Sequence, residues 1–259
     1  MNICTVSTRD SIGKTVSSLF LAYSLAYIQG SKVLYTYTGS TNPLAGIIKY
    51  SQASLETRNT SLIAKLIEVD SFKGSDIPDY CVKLNSNVDL LDLTSGYTND
   101  NIRKTILNFV LDTNVYDYII VEVDSDLESD ISKMVIEKSE TVMFITSPHI
   151  KDIRDNKELR EKLFKDEVKD YICVVNKYKE EIYALRDISK LLAVKHRCVC
   201  KIHYTPFVIK CCNTNSLDSF FTAVVSKDPR VYELINDQKE LTEAIVYRKG
   251  DRFKWGGKK

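Results

Sequence analysis

The chain has 259 residues, with 36 Lys and Arg against 35 Asp and Glu, so its formal net charge is +1. Hydrophobic residues make up 44% and charged residues 27%, which is typical of a folded globular domain and excludes a disordered chain. The 9 glycines and 5 prolines exclude collagen-like and linker-like sequences, and the balanced charge provides no overall basic field for nucleic acid.

Short apolar runs predict β-strands along the whole chain. Several are continuously apolar rather than alternating, as expected for strands that are buried on both faces of a parallel sheet. In chain order the predicted strands are Ile3–Val6, Lys32–Tyr35, Val88–Leu93, Tyr118–Val121, Thr141–Ile145, Tyr171–Val175 and Arg197–Ile202.

Predicted helices alternate with these strands. The pattern predicts helices over Val16–Gln29, which Gly30 ends, over Ile102–Leu111 and over Pro229–Val246, and the charged tract Lys151–Lys169 indicates a solvated helix face. Strands that alternate with helices predict an α/β fold, with a mostly parallel sheet and helices on both faces. We expect a single domain over residues 1–246 and a basic tail over residues 247–259.

The segment between the first predicted strand and the first predicted helix resembles a phosphate-binding loop. In the P-loop pattern G-x-x-x-x-G-K-[ST], Gly13, Lys14 and Thr15 fit, and Thr8 stands in the place of the first glycine. Such a loop holds an anion with backbone N–H groups, while the lysine contacts phosphate and the threonine hydroxyl binds Mg²⁺. The alternative is an ordinary helix N-terminus with Thr15 near its cap.

Four segments, in order, resemble motifs of the MinD/ParA family of deviant Walker A ATPases. Arg9–Thr15 is similar to K-G-G-x-G-K-T, with Arg9 in the place of the signature lysine, and Tyr116–Glu122 is similar to Y-D-x-I-I-I-D. Val174–Tyr178 resembles the V-x-N-K/R segment that reads adenine, and Ile202–Lys210 resembles the late segment that lines the base.

This resemblance implies a P-loop NTPase-like fold and a homodimer that encloses ATP and Mg²⁺ between two protomers. Lys14 and Arg9 are then the catalytic residues, and Arg9 reaches the phosphate that the partner protomer binds. The residues implied to contact the nucleotide are Arg9, Asp10, Ser11, Ile12, Gly13, Lys14, Thr15, Val16, Asn176, Lys177 and Pro206. The residues predicted to hold the metal are Thr15, Glu122 and Asp124, the last from its place after the fourth predicted strand.

Departures from the family pattern predict weak or absent ATP hydrolysis. Tyr37 and Gly39 stand where the family carries D-x-D, whose aspartate helps to place the attacking water, and neither residue replaces a carboxylate. Asp10 and Ser11 replace loop glycines, although only glycine takes a positive φ freely. Such erosion resembles the CpaE/TadZ branch, whose members localise pilus and secretion machinery.

These residues predict an ATP-binding dimeric switch that positions a machine such as a pilus or secretion apparatus. Two alternatives remain open at this stage. One is a nucleotide-independent pseudo-ATPase scaffold, which the lost D-x-D pair favours. The other is a DNA-segregation ATPase, which the near-neutral charge disfavours.

Three further groups of residues have alternative interpretations. Asp124 and Asp126 follow the fourth predicted strand, where parallel sheets place their ligands, so they either contact Mg²⁺ through water or form a polar loop. The spacing of His196, Cys198 and Cys200 disfavours zinc, because alternation along one strand places all three on one face. No local signature supports a cysteine nucleophile.

Composition and resemblance together give expectations for location and partners. The 7 cysteines are odd in number and follow no secretion signal, which favours a reducing cytoplasm. The uncharged run Thr15–Ser31 contains several polar residues and falls short of the roughly 20 apolar residues of a membrane span. We therefore expect a cytoplasmic protein, peripheral at the membrane or cell pole, that contacts a protein of a membrane-associated machine.

Overall fold

The fold is built around one sheet of eight strands. The computed structural model describes residues 1–49, 60–94, 99–164 and 169–255, with the backbone alone for residues 248–255. The strands are β1 (Asn2–Ser7), β2 (Val33–Tyr37), β3 (Val82–Lys83), β4 (Val88–Leu90), β5 (Tyr118–Glu122), β6 (Thr141–Thr146), β7 (Asp170–Tyr178) and β8 (Val199–His203).

Helices follow most of the strands. Among the described residues they are α1 (Lys14–Gln29), α2 (Thr60–Glu68), α3 (Asp100–Leu111), α4 (Asp130–Lys138), α5 (Ile150–Leu163), α6 (Leu185–Leu191), α7 (Pro206–Asn213), α8 (Leu217–Val225) and α9 (Tyr232–Trp255). Short 3₁₀ turns cover Gly74–Tyr80, His196–Cys198 and Pro229–Val231. Within this part of the chain, none of the helices combines the length and the apolar composition that a bilayer crossing requires.

The strand order places β1 inside the sheet, between β5 and β6. The full order is β3-β4-β2-β5-β1-β6-β7-β8, and every neighbouring pair is parallel except β3 with β4. Cys4 of β1 lies opposite Val121 of β5 and Val142 of β6. The carboxyl ends of β1, β2 and β5 therefore meet at one edge of the sheet, where open α/β folds bind their ligands.

Two apolar cores cover the two faces of the sheet. One packs α1, α8 and α9 against the sheet, and the other packs α2 to α6 against the opposite face. Helix α1 is buried along most of its length, including Leu19, Leu21 and Leu25, because it lies between the sheet and α9. Gly30 ends α1 in the left-handed conformation with φ of 64°.

The predicted α/β architecture with a mostly parallel sheet is confirmed, and several boundaries change. Strand β4 ends at Leu90 rather than Leu93, and the two-residue β3 carried no periodic signal in the sequence. Helix α9 runs to Trp255, beyond the predicted end at Val246. The side chains assigned to the basic tail from Arg248 onward lie outside the described residues.

Two local predictions are corrected. His196 and Cys198 belong to a 3₁₀ turn, and β8 begins only at Val199, so strand alternation does not govern these side chains. Of the charged tract predicted over Lys151–Lys169, the part up to Leu163 lies in α5, and residues 165–168 lie outside the described residues. The helix face is not wholly solvated. Asp152 is fully buried there, and its carboxylate forms an ion pair with Arg9 in the loop after β1.

Candidate functional site

The loop between β1 and α1 turns through two left-handed residues. Ser11 has φ of 62° and Gly13 has φ of 98°. Serine therefore adopts a conformation that glycine takes freely, at a cost of about 1–3 kcal/mol, and strain of this kind concentrates at ligand sites. Helix α1 begins at Lys14, and Gly13 has no side chain to cap it. The N–H groups of its first turn are thus available to an anion.

Two residues of β7 brace this loop. The buried Asn176 donates a hydrogen bond from Nδ2 to the carbonyl of Ile12 at 2.8 Å, and Lys177 donates from Nζ to the carbonyl of Ser11 at 2.9 Å. A Cβ atom on Gly13 would lie 2.0 Å from Nδ2 of Asn176, so only glycine fits there without displacing Asn176. Asn176 and Lys177 therefore hold the loop, a role that the sequence did not indicate.

Hydrogen bonds connect the start of α1 to the end of β5. Lys14 donates from Nζ to the carbonyl of Val123, just past β5. Thr15 donates from Oγ1 to Oε1 of Glu122 at 2.8 Å, and the Tyr35 hydroxyl donates to Oε2 of Glu122 at 2.5 Å. Burial raises the pKa of Glu122, although the Tyr35 hydrogen bond, the Lys14 charge and the Thr15 hydrogen bond act in the opposite direction.

These groups surround a polar cavity of about 390 Å³ at the carboxyl edge of the sheet. The sequence-predicted site residues that line it are Arg9, Asp10, Ser11, Gly13, Lys14, Thr15, Glu122 and Asp124. They come from the loop after β1, the first turn of α1 and the end of β5. The structure therefore brings most of the predicted phosphate and metal residues together, although they are more than 100 positions apart in sequence.

The end of β2 also lines this cavity. The Tyr37 hydroxyl donates a hydrogen bond to the buried Asp92, which also accepts one from Asn42 at 2.8 Å. Gly39 lies beside Asp124, and a Cβ atom on Gly39 would be 3.5 Å from Oδ2 of Asp124. A side chain at position 39 would therefore be in van der Waals contact with the Asp124 carboxylate.

Arg9 is bound within its own protomer. Its guanidinium lies 2.6 Å from Oδ2 of Asp152 in the first turn of α5, and Ser147 donates to the same oxygen at 2.5 Å. The Arg9 side chain is 54% exposed, whereas that of Asp152 is fully buried. Arg9 therefore lies at the rim of the cavity, with its charge matched by a buried carboxylate.

A second, mainly apolar cavity of about 230 Å³ lies on the other side of Gly13. Val16, Asn176 and Lys177, which the sequence predicted as nucleotide contacts, line it together with Thr205 and Val208. Pro206, also predicted to contact the nucleotide, is the first residue of α7 and is not among the lining residues. The walls of this cavity suit a flat, weakly polar group.

His203 joins this second cavity to the C-terminal helix. The cavity is lined by His203, whose Nδ1 lies 2.8 Å from Oδ2 of Asp237 on α9, and whose backbone N–H donates to the same oxygen at 2.7 Å. Burial raises the pKa of Asp237 to about 6, although the His203 hydrogen bonds and charge act in the opposite direction.

The donor set next to Lys14 fits Mg²⁺. This ion prefers oxygen ligands and usually combines one or two carboxylates with phosphate oxygens and waters. The Thr15 hydroxyl and the Glu122 carboxylate already lie together, with Asp124 on the same cavity. Among the described residues, no group of three or more His, Cys, Asp or Glu could hold a metal ion by itself. A Mg²⁺ ion here would depend on nucleotide oxygens and waters for its other ligands.

Sequence reasoning missed four residues that hold the site in place. They are polar or acidic side chains, largely buried, that contact a predicted residue or a cavity-lining one: Tyr35, Asp92, Asp152 and Asp237. Of these four, only Asp152 could have been found from the sequence. It lies in the first turn of a helix just after a parallel strand, at the edge of the sheet where such folds bind their ligands. The others lie in apolar or charged stretches without a local pattern.

The fold is similar to solved structures of ParA and MinD ATPases. A ParA family ATPase from Chlorobium tepidum TLS is 14% identical, with 94% of this chain and 97% of that chain covered and a TM-score of 0.70. The septum site-determining protein MinD of Pyrococcus horikoshii OT3, complexed with Mg-ADP, is 16% identical, with 94% and 95% covered and a TM-score of 0.64. A putative plasmid partition protein from Borrelia burgdorferi B31 bound to AMPPNP is 15% identical, with 95% and 98% covered and a TM-score of 0.61.

No protein-family profile and no curated protein sequence matches the chain. The structural likeness therefore defines the class by fold: a single-domain α/β protein with the architecture of ParA and MinD ATPases. The sequence-based prediction of this fold is confirmed.

Proposed function

We propose that this chain is an ATP-binding, MinD/ParA-like dimeric switch with weak or absent ATP hydrolysis. One observation carries the proposal: a polar cavity and an apolar cavity meet at Gly13, so that a single ligand with an anionic end and a flat ring can occupy both. A nucleoside triphosphate has this chemistry. Its phosphates would lie at the N-terminus of α1, and its base would lie between β7, β8 and α7.

Each predicted residue has a role in this proposal. Lys14 would give up its bond to the Val123 carbonyl and bind phosphate, and Thr15 and Glu122 would hold Mg²⁺. Asp124, which the sequence predicted as a third metal residue, lines the same cavity. Asn176, which holds the Ile12 carbonyl, retains its amide oxygen as an acceptor for the adenine amino group. Pro206 would contribute by starting α7 and thereby placing Thr205 and Val208.

We further propose that the switch positions a cellular machine such as a pilus or secretion apparatus. The structural neighbours include a septum site-determining protein, a plasmid partition protein and a MinC:MinD cell division protein complex from Aquifex aeolicus, so positioning is a recurrent role of this fold. The eroded loop and the absent D-x-D pair favour the CpaE/TadZ branch. The protein would be cytoplasmic, peripheral at the membrane or pole, and bound to a protein of that machine.

Dimerisation would depend on Arg9. In the protomer its guanidinium binds Asp152, and more than half of the side chain remains exposed. A nucleotide on a partner protomer offers several phosphate oxygens, to which arginine can bind bidentately. In the dimer the Arg9 guanidinium would leave Asp152 and bind this phosphate, so that nucleotide binding and dimer assembly would be coupled.

The experiment is light scattering of the wild type and of Arg9→Ala, with and without Mg-ATP. We expect the wild type to dimerise only with Mg-ATP, and Arg9→Ala to bind ATP with similar affinity and remain monomeric. Lys104→Ala is the charge-matched control, because Lys104 pairs with Asp130 at the surface and lines neither cavity. A wild type that dimerises equally without nucleotide would contradict the proposal.

Two other functions can be separated by the same preparations. A pseudo-ATPase scaffold would assemble without nucleotide, and the bonds that already hold Lys14, Tyr37 and Glu122 favour it as the second candidate. A DNA-segregation ATPase would bind DNA in a salt-dependent manner, which a titration at two salt concentrations detects.

A further inference from the structure

We propose that Asp124 provides the carboxylate that orients the attacking water for hydrolysis of the nucleotide. The side chain would act from the end of β5, in the space that Gly39 leaves at the end of β2. This inference rests on the proposed function, because it names the residue responsible for the residual hydrolysis at the same site. It also assigns Asp124 to the reacting water rather than to the metal.

The geometry of Asp124 suits this role. Its Oδ1 accepts hydrogen bonds from the backbone N–H of Ser125 at 2.7 Å and from the Ser125 hydroxyl at 3.2 Å, and its backbone N–H donates to Thr38 at 2.8 Å. These bonds fix the orientation of the carboxyl group. Its Oδ2 receives no hydrogen bond from any described residue and lies 3.5 Å from the Cβ position of Gly39. One oxygen is therefore anchored, and the other is available to a water molecule.

The other acceptors on the cavity are less suited. Each carboxylate oxygen of the buried Glu122 already accepts a hydrogen bond, one from the Thr15 hydroxyl and the other from the Tyr35 hydroxyl. Asp10 belongs to the phosphate loop, so its carboxylate would face phosphate oxygens of like charge. The Tyr37 hydroxyl donates its proton to Asp92 and is a weaker base than a carboxylate. Among the described carboxylates on the cavity, Asp124 combines one oxygen that is anchored by Ser125 with one that can accept a hydrogen bond from water.

The absence of a side chain at position 39 makes this placement feasible. An aspartate at position 39 would begin within van der Waals contact of Asp124 and would extend into the same space, and the two carboxylates would repel each other. Glycine at 39 and aspartate at 124 are therefore complementary. The carboxylate in this space therefore comes from the residue that follows β5 and not from the residue that follows its neighbour β2.

The chemical step is an in-line displacement. The water oxygen forms a bond to the γ-phosphorus, and the bond from this phosphorus to the bridging oxygen breaks with its electron pair remaining on ADP. The water proton passes to Oδ2 of Asp124 and then to the released phosphate or to solvent. Asp124 contacts the reacting water and is in this sense catalytic.

The test compares phosphate release and Mg-ATP binding in the wild type, in Asp124→Asn and in a double variant that combines Gly39→Asp with Asp124→Ser. We expect Asp124→Asn to bind Mg-ATP with the wild-type affinity and to lose at least about tenfold in single-turnover hydrolysis, because it loses the proton acceptor. The double variant returns a carboxylate to the same space and should regain hydrolysis. Asp130→Asn is the control, since Asp130 pairs with Lys104 at the surface and does not line the cavity.

Each outcome decides for or against the inference. Equal hydrolysis in Asp124→Asn and the wild type would overturn it, as would a wild type that binds Mg-ATP without measurable phosphate release. A higher Mg²⁺ requirement for binding in Asp124→Asn would also overturn it and make Asp124 a metal contact. If the wild type binds no ATP at all, the proposed function itself fails, which the binding titration detects separately.

Discussion

The polar cavity and the apolar cavity lie on either side of Gly13 and are built in opposite ways. The first is lined by polar and charged groups, several of which already have protein partners: Lys14 donates to the Val123 carbonyl and Thr15 donates to Glu122. The second has apolar walls, for example Val16 and Val208, which need no exchange of partners. A nucleotide would therefore gain apolar burial directly on the base side, but on the phosphate side it must replace existing hydrogen bonds. If the proposed function holds, we expect the polar cavity to control switching and the apolar cavity to provide affinity.

The largest effect is expected from a substitution of Gly13, the residue at which the two cavities meet. In Gly13→Ala the new Cβ would collide with Asn176, and the positive φ of 98° adds strain. We expect a loss of Mg-ATP affinity of at least about 100-fold, which corresponds to about 2.7 kcal/mol. Isothermal titration calorimetry measures this effect.

Gly30→Ala is the matched control for this prediction. Its φ of 64° is also positive, but no atom lies within 4 Å of the new Cβ, and residue 30 is far along α1 from both cavities. We expect unchanged ATP affinity and a stability loss of about 1–2 kcal/mol from backbone strain alone. Equal effects of the two variants on ATP binding would mean that Gly13 is not the junction of one site.

A smaller effect on ATP affinity is expected when Asn176, which holds the loop after β1, is replaced by a side chain of the same shape. In Asn176→Asp a carboxylate replaces the amide that donates to the Ile12 carbonyl, so that bond is lost and two oxygens face each other. We expect ATP affinity to fall about tenfold, or about 1.4 kcal/mol. Asn114→Asp, at an exposed position that lines neither cavity, is the control. An unchanged ATP affinity in Asn176→Asp would show that nucleotide binding does not depend on the contact between Asn176 and the loop after β1.

The smallest effect concerns the acidic residue behind His203. Burial raises the pKa of Asp237 from 3.8 to about 6, so between these values the folded chain holds more protons than the unfolded chain. The contribution of this group to stability is therefore present below pH 3.8 and is lost as the pH rises through about 6. Asp237→Asn removes the titration, and we expect the wild-type Tm to fall by a few degrees relative to this variant across that window.

Thermal unfolding at several pH values measures this difference. Glu233→Gln is the control, because it removes the same charge from an exposed position on α9. A wild type and an Asp237→Asn variant with parallel pH profiles would mean that Asp237 titrates normally in the folded chain.

The fold was largely predictable because buried parallel strands leave long apolar runs in the sequence. The strands over Ile3–Val6 and Thr141–Ile145 are confirmed almost to the residue, since both lie inside the sheet and are covered on both faces. Strand β3 has two residues and an edge position, so no periodicity could indicate it. The end of α9 was missed because its last turns carry charged residues without an apolar pattern.

The site was predictable where its residues are contiguous in sequence. Gly13, Lys14 and Thr15 form a motif that is visible without a structure, and the structure places them at the start of α1 as predicted. The partners of these residues were not visible, because sheet register and helix docking bring them together. Tyr35 reaches Glu122 only because β2 and β5 are neighbours, and Asp152 reaches Arg9 only through the docking of α5.

The central claim is that the two cavities form one adenine nucleotide site in which Lys14 binds phosphate. Its most direct test is a calorimetric titration of the wild type and of Lys14→Ala with Mg-ATP. We predict that the wild type binds one nucleotide per chain and that Lys14→Ala binds at least about tenfold more weakly, a difference of about 1.4 kcal/mol. Equal affinity in the two proteins, or no binding by the wild type, would contradict the account.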